Sequence, residues 1–419
     1  MPTAQRSHGR RRAWAAALMA AATVAAFAAA SAPLATPSRP ASEAYVLVPW
    51  FDGLRLPVAV VAVPEHPDRW LAVQLEGLVV DVRGDDPQPR TFLDLRHRVT
   101  GLEGEQGLFS AALEPLDRAR ARGRARYVVT AFSERDTGHL VVAAYPVDET
   151  AWLADETREL EILRVPMPEP FHHGGALRFG PHGLLYATTG DGSAMVDPDV
   201  ERSGAAASLR SLRGKIVRID LLPTAESAPA YAVPADNPFA AATTATSANA
   251  LPEIWAFGFR NPWKLTFDPT SGEAIVVDVG ADRWEAVHRV VPGGDHGWPA
   301  REGRECVRLQ DGTLLDPSCG ERADVAPWIA YGHFALDPEG GQAVVGGVHV
   351  RDPELPELAG RYVFSDFVSG RVWAYDPDAD LRVVLADAGP GVSAVDEGPG
   401  GEVLIVTLSG TVRRLTRDR

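Results

Sequence analysis

Six turn-plus-strand units recur along the chain, and this repetition constrains the fold more than any other feature. Each unit places turn-forming residues such as Gly, Pro or Asp beside a run of β-branched, aromatic or other apolar residues. The units lie around residues 68–82, 127–145, 182–191, 268–278, 358–375 and 398–415. Because stacked β-units of this kind bury their sheets against one another, six in succession predict an all-β, six-bladed propeller of four-stranded antiparallel blades.

The first 32 residues resemble an export signal. Arg6 and residues 10–12 supply positive charge without any acid, and an Ala-rich apolar run ends in Ala30-Ser31-Ala32, an A-x-A cleavage signal. Because Arg11 and Arg12 are adjacent, both the twin-arginine and the Sec export route are possible. The apolar run of about 20 residues is also long enough for an uncleaved membrane anchor. We expect a cleaved signal peptide at 1–32 and an exported protein, periplasmic or extracellular, without stable membrane insertion.

The length of 419 residues allows two or three domains, but the uneven insertions between repeat units favour one. We expect a flexible N-terminal segment at 33–53 and one propeller at 54–419. Loss of residues 1–32 removes four arginines, which leaves 37 basic against 56 acidic side chains and a formal charge near −19. We do not expect a chain this acidic to bind nucleic acid.

The chain contains two cysteines, Cys306 and Cys319, which flank a short insertion. In an exported protein an even pair this close predicts a disulfide, and closing a loop of about 14 residues stabilises by about 3 kcal/mol. The alternative is two free thiols in a reducing cytosol.

Residues 171–193, FHHGGALRFGPHGLLYATTGDGS, combine a candidate base, a candidate carboxylate and a strand in one short stretch. His172 precedes the Gly174-Gly175 pair, and Asp191 follows the apolar run between two glycines. A carboxylate bound to one ring nitrogen of a histidine fixes its tautomer and raises its basicity. The alternative is that His172 is a surface loop residue and that Asp191 only forms a turn.

This stretch resembles the soluble glucose and sorbosone dehydrogenases, six-bladed propellers that use pyrroloquinoline quinone (PQQ). The resemblance continues in order through SLRGKIVRID, DNPF, EIWAFGFRNPWKLTFDPTSGEAIVVDVGADRWEAVHRV, GGDHGWP and LPELAGRYVFSDFVSGRVW, and it covers nearly all of the chain beyond about Leu54. It implies an enzyme that oxidises aldoses or related aldehydes at the anomeric carbon and passes electrons to an external acceptor.

The resemblance also implies roles for individual residues. His172 would be the general base, Asp191 its orienting carboxylate, and Arg260 the electrophile that polarises the quinone. Arg260, Asn261 and Glu105 would contact the cofactor, with Glu105 at the sugar end of the pocket. A structural Arg260 and a solvated Glu105 are the alternatives.

The calcium ion that holds PQQ in the family would be bound by the backbone carbonyls of Gly280 and Ala281. Calcium prefers oxygen ligands and tolerates carbonyls, but no dense run of acidic ligands marks this turn. Five tryptophans could stack on a quinone or sugar ring or pack between blades, and these are Trp255, Trp263, Trp284, Trp298 and Trp328.

The chain departs from the family where PQQ carboxylates would be neutralised. Residues 366–370 and 389–396 contain no Lys or Arg, whereas the family has cations in both stretches. Arg371 is adjacent and Arg382 is farther away. Two functions therefore remain: a PQQ- and calcium-dependent sugar dehydrogenase, or a non-catalytic propeller of the same family that binds a carbohydrate or a protein.

Overall fold

The structure, a computed structural model, describes residues 38–39, 44–84, 86–193, 204–221, 230–241, 249–308 and 312–418. The predicted signal peptide at 1–32 lies outside these residues. Nearly all regular elements among the described residues are β-strands. No helix in this part of the chain is long and apolar enough to span a membrane.

Six antiparallel sheets, which we number blades 1 to 6, follow one another along the chain and confirm the predicted six-bladed propeller. From first to last strand, blade 1 contains Pro57–Ala62, Arg69–Gln74, Leu78–Arg83 and Asp86–Asp94, and blade 2 contains Leu108–Leu113, Tyr127–Ser133, Leu140–Asp148 and Leu160–Val165. Blade 3 contains Gly174–Phe179, Leu185–Thr189, Lys215–Leu221 and Ile254–Phe257, and blade 4 contains Pro262–Phe267, Ala274–Asp278, Trp284–Arg289 and Ile329–Gly332. Blade 5 contains Val344–His349, Tyr362–Asp366, Arg371–Asp376 and Leu381–Asp387, and blade 6 contains Val392–Glu397, Val403–Thr407, Val412–Arg417 and Tyr45–Phe51.

The remaining elements are short and lie at the margins of the blades. The short strands are Ser38–Arg39, Leu153–Ala154, Tyr231–Ala232, Arg301–Glu302 and Glu305–Cys306. The helical turns are Leu116–Ala121, Glu156–Arg158, Gly204–Ala207, Cys319–Glu321 and Pro356–Leu358.

The N-terminal strand Tyr45–Phe51 closes the ring by pairing with Val412–Arg417 in blade 6. The prediction of a flexible segment at 33–53 is therefore wrong for these residues. Pairing the two ends of the chain satisfies the open edge of the last blade, which would otherwise expose unpaired N–H and C=O groups. Pro49, which has no N–H, is tolerated because this strand lies at the edge of its sheet.

Apolar side chains between neighbouring blades form the core. Between blades 1 and 2, for example, Val73 and Phe92 cluster with Phe132 and Val141, and all four are fully buried. Burying one such side chain stabilises by about 1.5–3 kcal/mol. The first strands of successive blades also contact one another around the ring, and the first strand of blade 6 contacts that of blade 1.

Two polar contacts join the first strands of opposite blades across the axis of this ring. Lys264 of blade 4 donates from Nζ to the Val58 carbonyl of blade 1 at 2.5 Å. Arg178 of blade 3 pairs with Asp396 of blade 6 at 3.0 Å. Lys264 is buried, and burial lowers its pKa to about 8. The axis is therefore crossed by two charged side chains.

The long connection between the last two strands of blade 4 carries a Cys306–Cys319 disulfide, which confirms the predicted pairing. Arg301, which precedes the disulfide loop, donates from Nη2 to the Cys319 carbonyl at 2.7 Å and pairs with Asp324 at 2.6 Å. The disulfide and Arg301 thus tie residues 301–306 of this connection to residues 319–324.

One end of the ring collects the predicted site residues. In each blade, the connection before the first strand and the turn after the second strand emerge at the same end, because adjacent strands run in opposite directions. Glu105, His172 and Arg260 lie before first strands, while Asp191 and Gly280 lie after second strands. We call this end the site face.

Candidate functional site

His172 and Asp191 form a hydrogen-bonded pair at the entrance to blade 3. The His172 Nδ1 atom lies 2.8 Å from Asp191 Oδ1. The Asp191 side chain is buried, whereas 12% of the His172 side chain is exposed. Because a carboxylate accepts a hydrogen bond, we assign the proton to Nδ1, which leaves the Nε2 lone pair available as a base.

The Asp191 carboxylate is held by two further donors. Trp298 Nε1 donates to Oδ2 at 2.8 Å, and the Ser193 N–H donates to Oδ1 at 2.8 Å. Of the five tryptophans considered for stacking on a quinone or sugar ring, Trp298 contacts this pair. Three of the others pack against aromatic side chains, with Trp255 against Tyr186, Trp263 against Phe109 and Trp328 against Tyr375.

His173 has a different environment from its neighbour. Its ring is buried and lies against Phe109, and its Nε2 is 3.0 Å from the Gly138 carbonyl. Burial lowers the pKa of His173, which favours a neutral ring. The geometry therefore separates a buried, structural His173 from a partly exposed His172.

His172 adopts a left-handed backbone conformation, with φ of 53°. The residue passes so close to Gly190 that a Cβ atom there would lie 1.8 Å from the His172 carbonyl oxygen. Glu105 stabilises this conformation, since its Oε2 accepts the His172 N–H at 2.9 Å. Strained backbone of this kind is found at sites where the surrounding structure holds a residue in place.

Arg260 and Asn261 are connected to the pair through Glu105 and Gly174. Asn261 Nδ2 donates to Glu105 Oε2 at 3.2 Å, and Asn261 Oδ1 accepts the Gly174 N–H at 3.1 Å. The Arg260 carbonyl accepts the Asp191 N–H at 2.8 Å. The structure thus brings together five of the predicted site residues: His172, Asp191, Arg260, Asn261 and Glu105.

Asp278 lies behind this network and was not predicted to be a site residue. Its carboxylate accepts the backbone N–H groups of Arg260 at 3.0 Å and of Asn261 at 2.7 Å. Burial raises the pKa of Asp278 to about 7, and the two N–H groups oppose that rise. Because Asp278 binds main chain only, no local pattern distinguishes it from an ordinary turn acid.

The Arg260 guanidinium lies beside the turn where the calcium ion was predicted. Its Nη1 donates to the Gly280 carbonyl at 2.6 Å and to the Val279 carbonyl at 3.0 Å. The guanidinium also lies over the Trp298 ring, with its carbon 5.6 Å from the ring centre. The Gly280 carbonyl, a predicted calcium ligand, is thus already bound to a cation.

The turn that follows Gly280 is organised around a carboxylate. Glu302 Oε1 accepts four consecutive backbone N–H groups at 2.8–3.0 Å, from Ala281, Asp282, Arg283 and Trp284. The described residues contain no cluster of three or more His, Cys, Asp or Glu side chains able to hold a metal. As arranged here, with Arg260 beside Gly280, these residues do not fit a calcium ion, because the two cations would repel each other.

The site does offer donors suited to an anionic quinone. Arg260 and Asn261 are partly and fully buried donors beside the His172–Asp191 pair. The two cation-free stretches contact each other, since the Gly391 N–H donates to the Phe367 carbonyl at 2.7 Å. Two arginines flank them: Arg371 donates to the Gly340 carbonyl at 2.9 Å, and Arg413 donates to the Ala388 carbonyl at 3.2 Å.

Arg413 was not predicted because it lies on the third strand of blade 6, outside the two stretches compared with the family. Arg382, which the sequence placed farther away, is buried and pairs with Asp337. Arg371 and Arg413 therefore supply positive charge beside the two cation-free stretches.

The sequence model of the family described as Glucose / Sorbosone dehydrogenase matches residues 54–415. The chain is 33% identical to the HIPL1 protein of Arabidopsis thaliana over 250 residues, which are 56% of this chain and 35% of that protein. It is 29% identical to the Hedgehog-interacting protein of Mus musculus over 227 residues, which are 52% of this chain and 31% of that protein. The chain thus spans about a third of the length of these relatives.

Solved structures with the same fold include the PQQ-bound form of an aldose sugar dehydrogenase from Streptomyces coelicolor. The TM-score is 0.64 at 18% identity, and the match covers 89% of this chain and 98% of that one. At this identity the likeness concerns the fold.

Proposed function

Because this chain belongs to the glucose/sorbosone dehydrogenase family, we propose that it is an exported oxidoreductase that oxidises aldose sugars or related aldehydes with PQQ. The sugar would be oxidised at its anomeric carbon, and the electrons would pass to an external acceptor. Export rests on the basic, acid-free start of the sequence and the Ala30-Ser31-Ala32 signal.

One observation carries the proposal: His172 is bound through Nδ1 to a buried carboxylate, and its Nε2, at a partly exposed position, has no hydrogen-bond partner among the described residues. A neutral imidazole in this state can remove a hydroxyl proton. Asp191 then stabilises the imidazolium, as the carboxylate of a catalytic triad does. A module that only binds a ligand has no need of this arrangement.

The other site residues complete the proposed chemistry. When bound, PQQ supplies a quinone that accepts a hydride from the anomeric carbon. The hydroxyl proton goes to His172 Nε2, and the sugar is left as a lactone. Arg260 and Asn261 offer charged and neutral N–H donors to an oxygen on which negative charge develops, which stabilises the transition state. Calcium has no part in the proposal, because Arg260 binds the Gly280 carbonyl, one of the two predicted calcium ligands.

A second function is favoured by specific observations. The curated relatives include a Hedgehog-interacting protein and a HIPL1 protein, and residues 366–370 and 389–396 contain no cation. Losing buried charge-assisted bonds, at about 1.5–3 kcal/mol each, would weaken PQQ binding. The alternative is a non-catalytic propeller that binds a carbohydrate or a protein.

A binding experiment separates the two. The purified mature protein is mixed with PQQ, with and without calcium, and the quinone absorbance is followed on gel filtration. Comigration of PQQ together with aldose-dependent reduction of an artificial dye supports the oxidoreductase. If PQQ does not comigrate under either condition, the oxidoreductase proposal is wrong and the binding module replaces it.

A further inference from the structure

A recess opens on the site face beside the His172–Asp191 pair. This cleft has a volume of about 470 Å³, within the range of about 300–1,000 Å³ typical of small-molecule sites. Three connections line it: residues 100–106 between blades 1 and 2, residues 135–138 within blade 2, and residues 167–170 between blades 2 and 3.

The cleft shares its walls with the site. Pro170, at its edge, lies two residues before His172, and its carbonyl accepts the Glu105 N–H at 2.9 Å. Glu105 in turn binds the His172 N–H and lies between the lining residues Glu103 and Gln106. The Phe171 ring packs against Gly104, where an added Cβ would meet it at 2.9 Å. The connection at residues 100–106 and the connection between blades 2 and 3 therefore both line the cleft and hold His172 in place.

The lining is polar and several of its groups are held in place. Arg135 donates from Nε to the His97 carbonyl at 2.9 Å and also binds the Arg96 carbonyl. Thr137 Oγ1 donates to Glu134 at 2.8 Å. Arg164 beside Glu134 lowers the pKa of that carboxyl to about 2, so this acceptor stays ionised. Groups fixed before binding lose less entropy when a ligand arrives.

The charge of the lining restricts the ligand. Glu103 and Glu169 are exposed acids, against the single exposed base Arg135. Carboxylates accept hydrogen bonds from neighbouring hydroxyls, while they repel a uronate or a sugar phosphate. A neutral molecule rich in hydroxyl groups matches this lining.

We propose that the cleft is a subsite for the further units of a neutral oligosaccharide whose reducing-end unit lies at His172. The proposal rests on the proposed function for the identity of the reacting unit. It extends that function by naming the substrate class, and it assigns the cleft to the sugars that follow the oxidised one.

The test fills the cleft and leaves the base intact. Thr137→Trp places a large ring in the cleft, and Thr270→Trp, at an exposed turn on the opposite end of blade 4, is the matched control. Binding of maltotriose, cellotriose and glucose is measured by calorimetry for both variants and the wild type. Glu169→Ala provides a second cleft variant should Thr137→Trp fail to fold.

We expect at least one trisaccharide to bind the wild type and Thr270→Trp equally, and Thr137→Trp at least tenfold more weakly. The ratio of trisaccharide to glucose kcat/KM should fall by the same factor. Equal trisaccharide affinity in the wild type and the cleft variants, or no trisaccharide binding, would overturn the subsite. If cleft variants lose the trisaccharide but no aldose reduces the dye, the subsite stands and the oxidoreductase function fails.

Discussion

Trp298 donates its indole N–H to the Asp191 oxygen that does not contact His172, at 2.8 Å. The two oxygens of this buried carboxylate therefore have separate partners, the imidazole on one side and the indole on the other. Trp298 lies in the long connection of blade 4, which also contains the disulfide. An insertion in one blade thus orients the carboxylate of another.

Trp298→Phe keeps the ring and removes the N–H donor. We expect kcat to fall about tenfold, equivalent to about 1.4 kcal/mol, because a buried acceptor without its donor lets the carboxylate turn away from His172. Aldose-dependent dye reduction by the PQQ-loaded protein measures it. Trp263→Phe is the control, since its indole binds the Ser393 carbonyl; equal rates in both variants would argue against the role of Trp298.

Glu105 holds two donors, the His172 N–H and the Asn261 amide. Glu105→Ala leaves both without this acceptor, and we expect the free energy of unfolding to fall by about 1–3 kcal/mol. Glu105→Gln keeps an acceptor oxygen and should lose less. Urea denaturation checks both, with the exposed Glu103→Ala as control. A Glu105→Ala protein as stable as the wild type would contradict the network.

Removal of the Cys306–Cys319 disulfide by substituting both cysteines with Ser should lower stability by about 3 kcal/mol. The disulfide restricts the unfolded chain, so its loss favours unfolding. Urea denaturation under non-reducing conditions measures the change. Alkylation of both thiols in the denatured but unreduced wild type would show that the bond does not form.

Lys264 provides a prediction for alkaline pH. Its folded pKa of about 8 lies below the ordinary value of about 10.4, so between these values the unfolded chain binds the proton that the folded chain has lost. The contribution of Lys264 to the free energy of unfolding therefore rises with pH from about 8 to about 10.4.

Lys264→Met removes the buried ammonium, and we expect it to raise stability at pH 7 and to flatten that rise. Urea denaturation of both proteins at pH 7 and pH 9.5 isolates the effect, since other titrating groups are common to both. A difference in stability between the two proteins that is the same at pH 7 and at pH 9.5 would contradict this account.

The six blades were predictable because each depends on hairpins between strands that are adjacent in sequence. The His172–Asp191 pair was predictable for the same reason, since the two residues flank one hairpin. Tyr45–Phe51 was missed because its partner strand lies at the other end of the chain. Trp298 and Glu302 reach the site only through the folded insertion of blade 4, which no local pattern encodes.

The calcium prediction illustrates a different limit. Gly280 and Ala281 were assigned through the resemblance, but the sequence does not show which partner a backbone carbonyl will bind. In the structure Arg260 binds the Gly280 carbonyl and Glu302 binds the Ala281 N–H. Both partners are themselves positioned by contacts between distant segments, so the outcome depends on the assembled fold.

The measurement that tests the central claim most directly compares the wild type with His172→Gln, both loaded with PQQ. The claim is that His172 is the base of a PQQ-dependent aldose oxidation. Removing only proton abstraction should lower aldose-dependent dye reduction by about 100- to 10,000-fold, while PQQ still comigrates with the variant on gel filtration. Wild-type rates in His172→Gln, or no PQQ-dependent signal with any aldose or aldehyde, would contradict it.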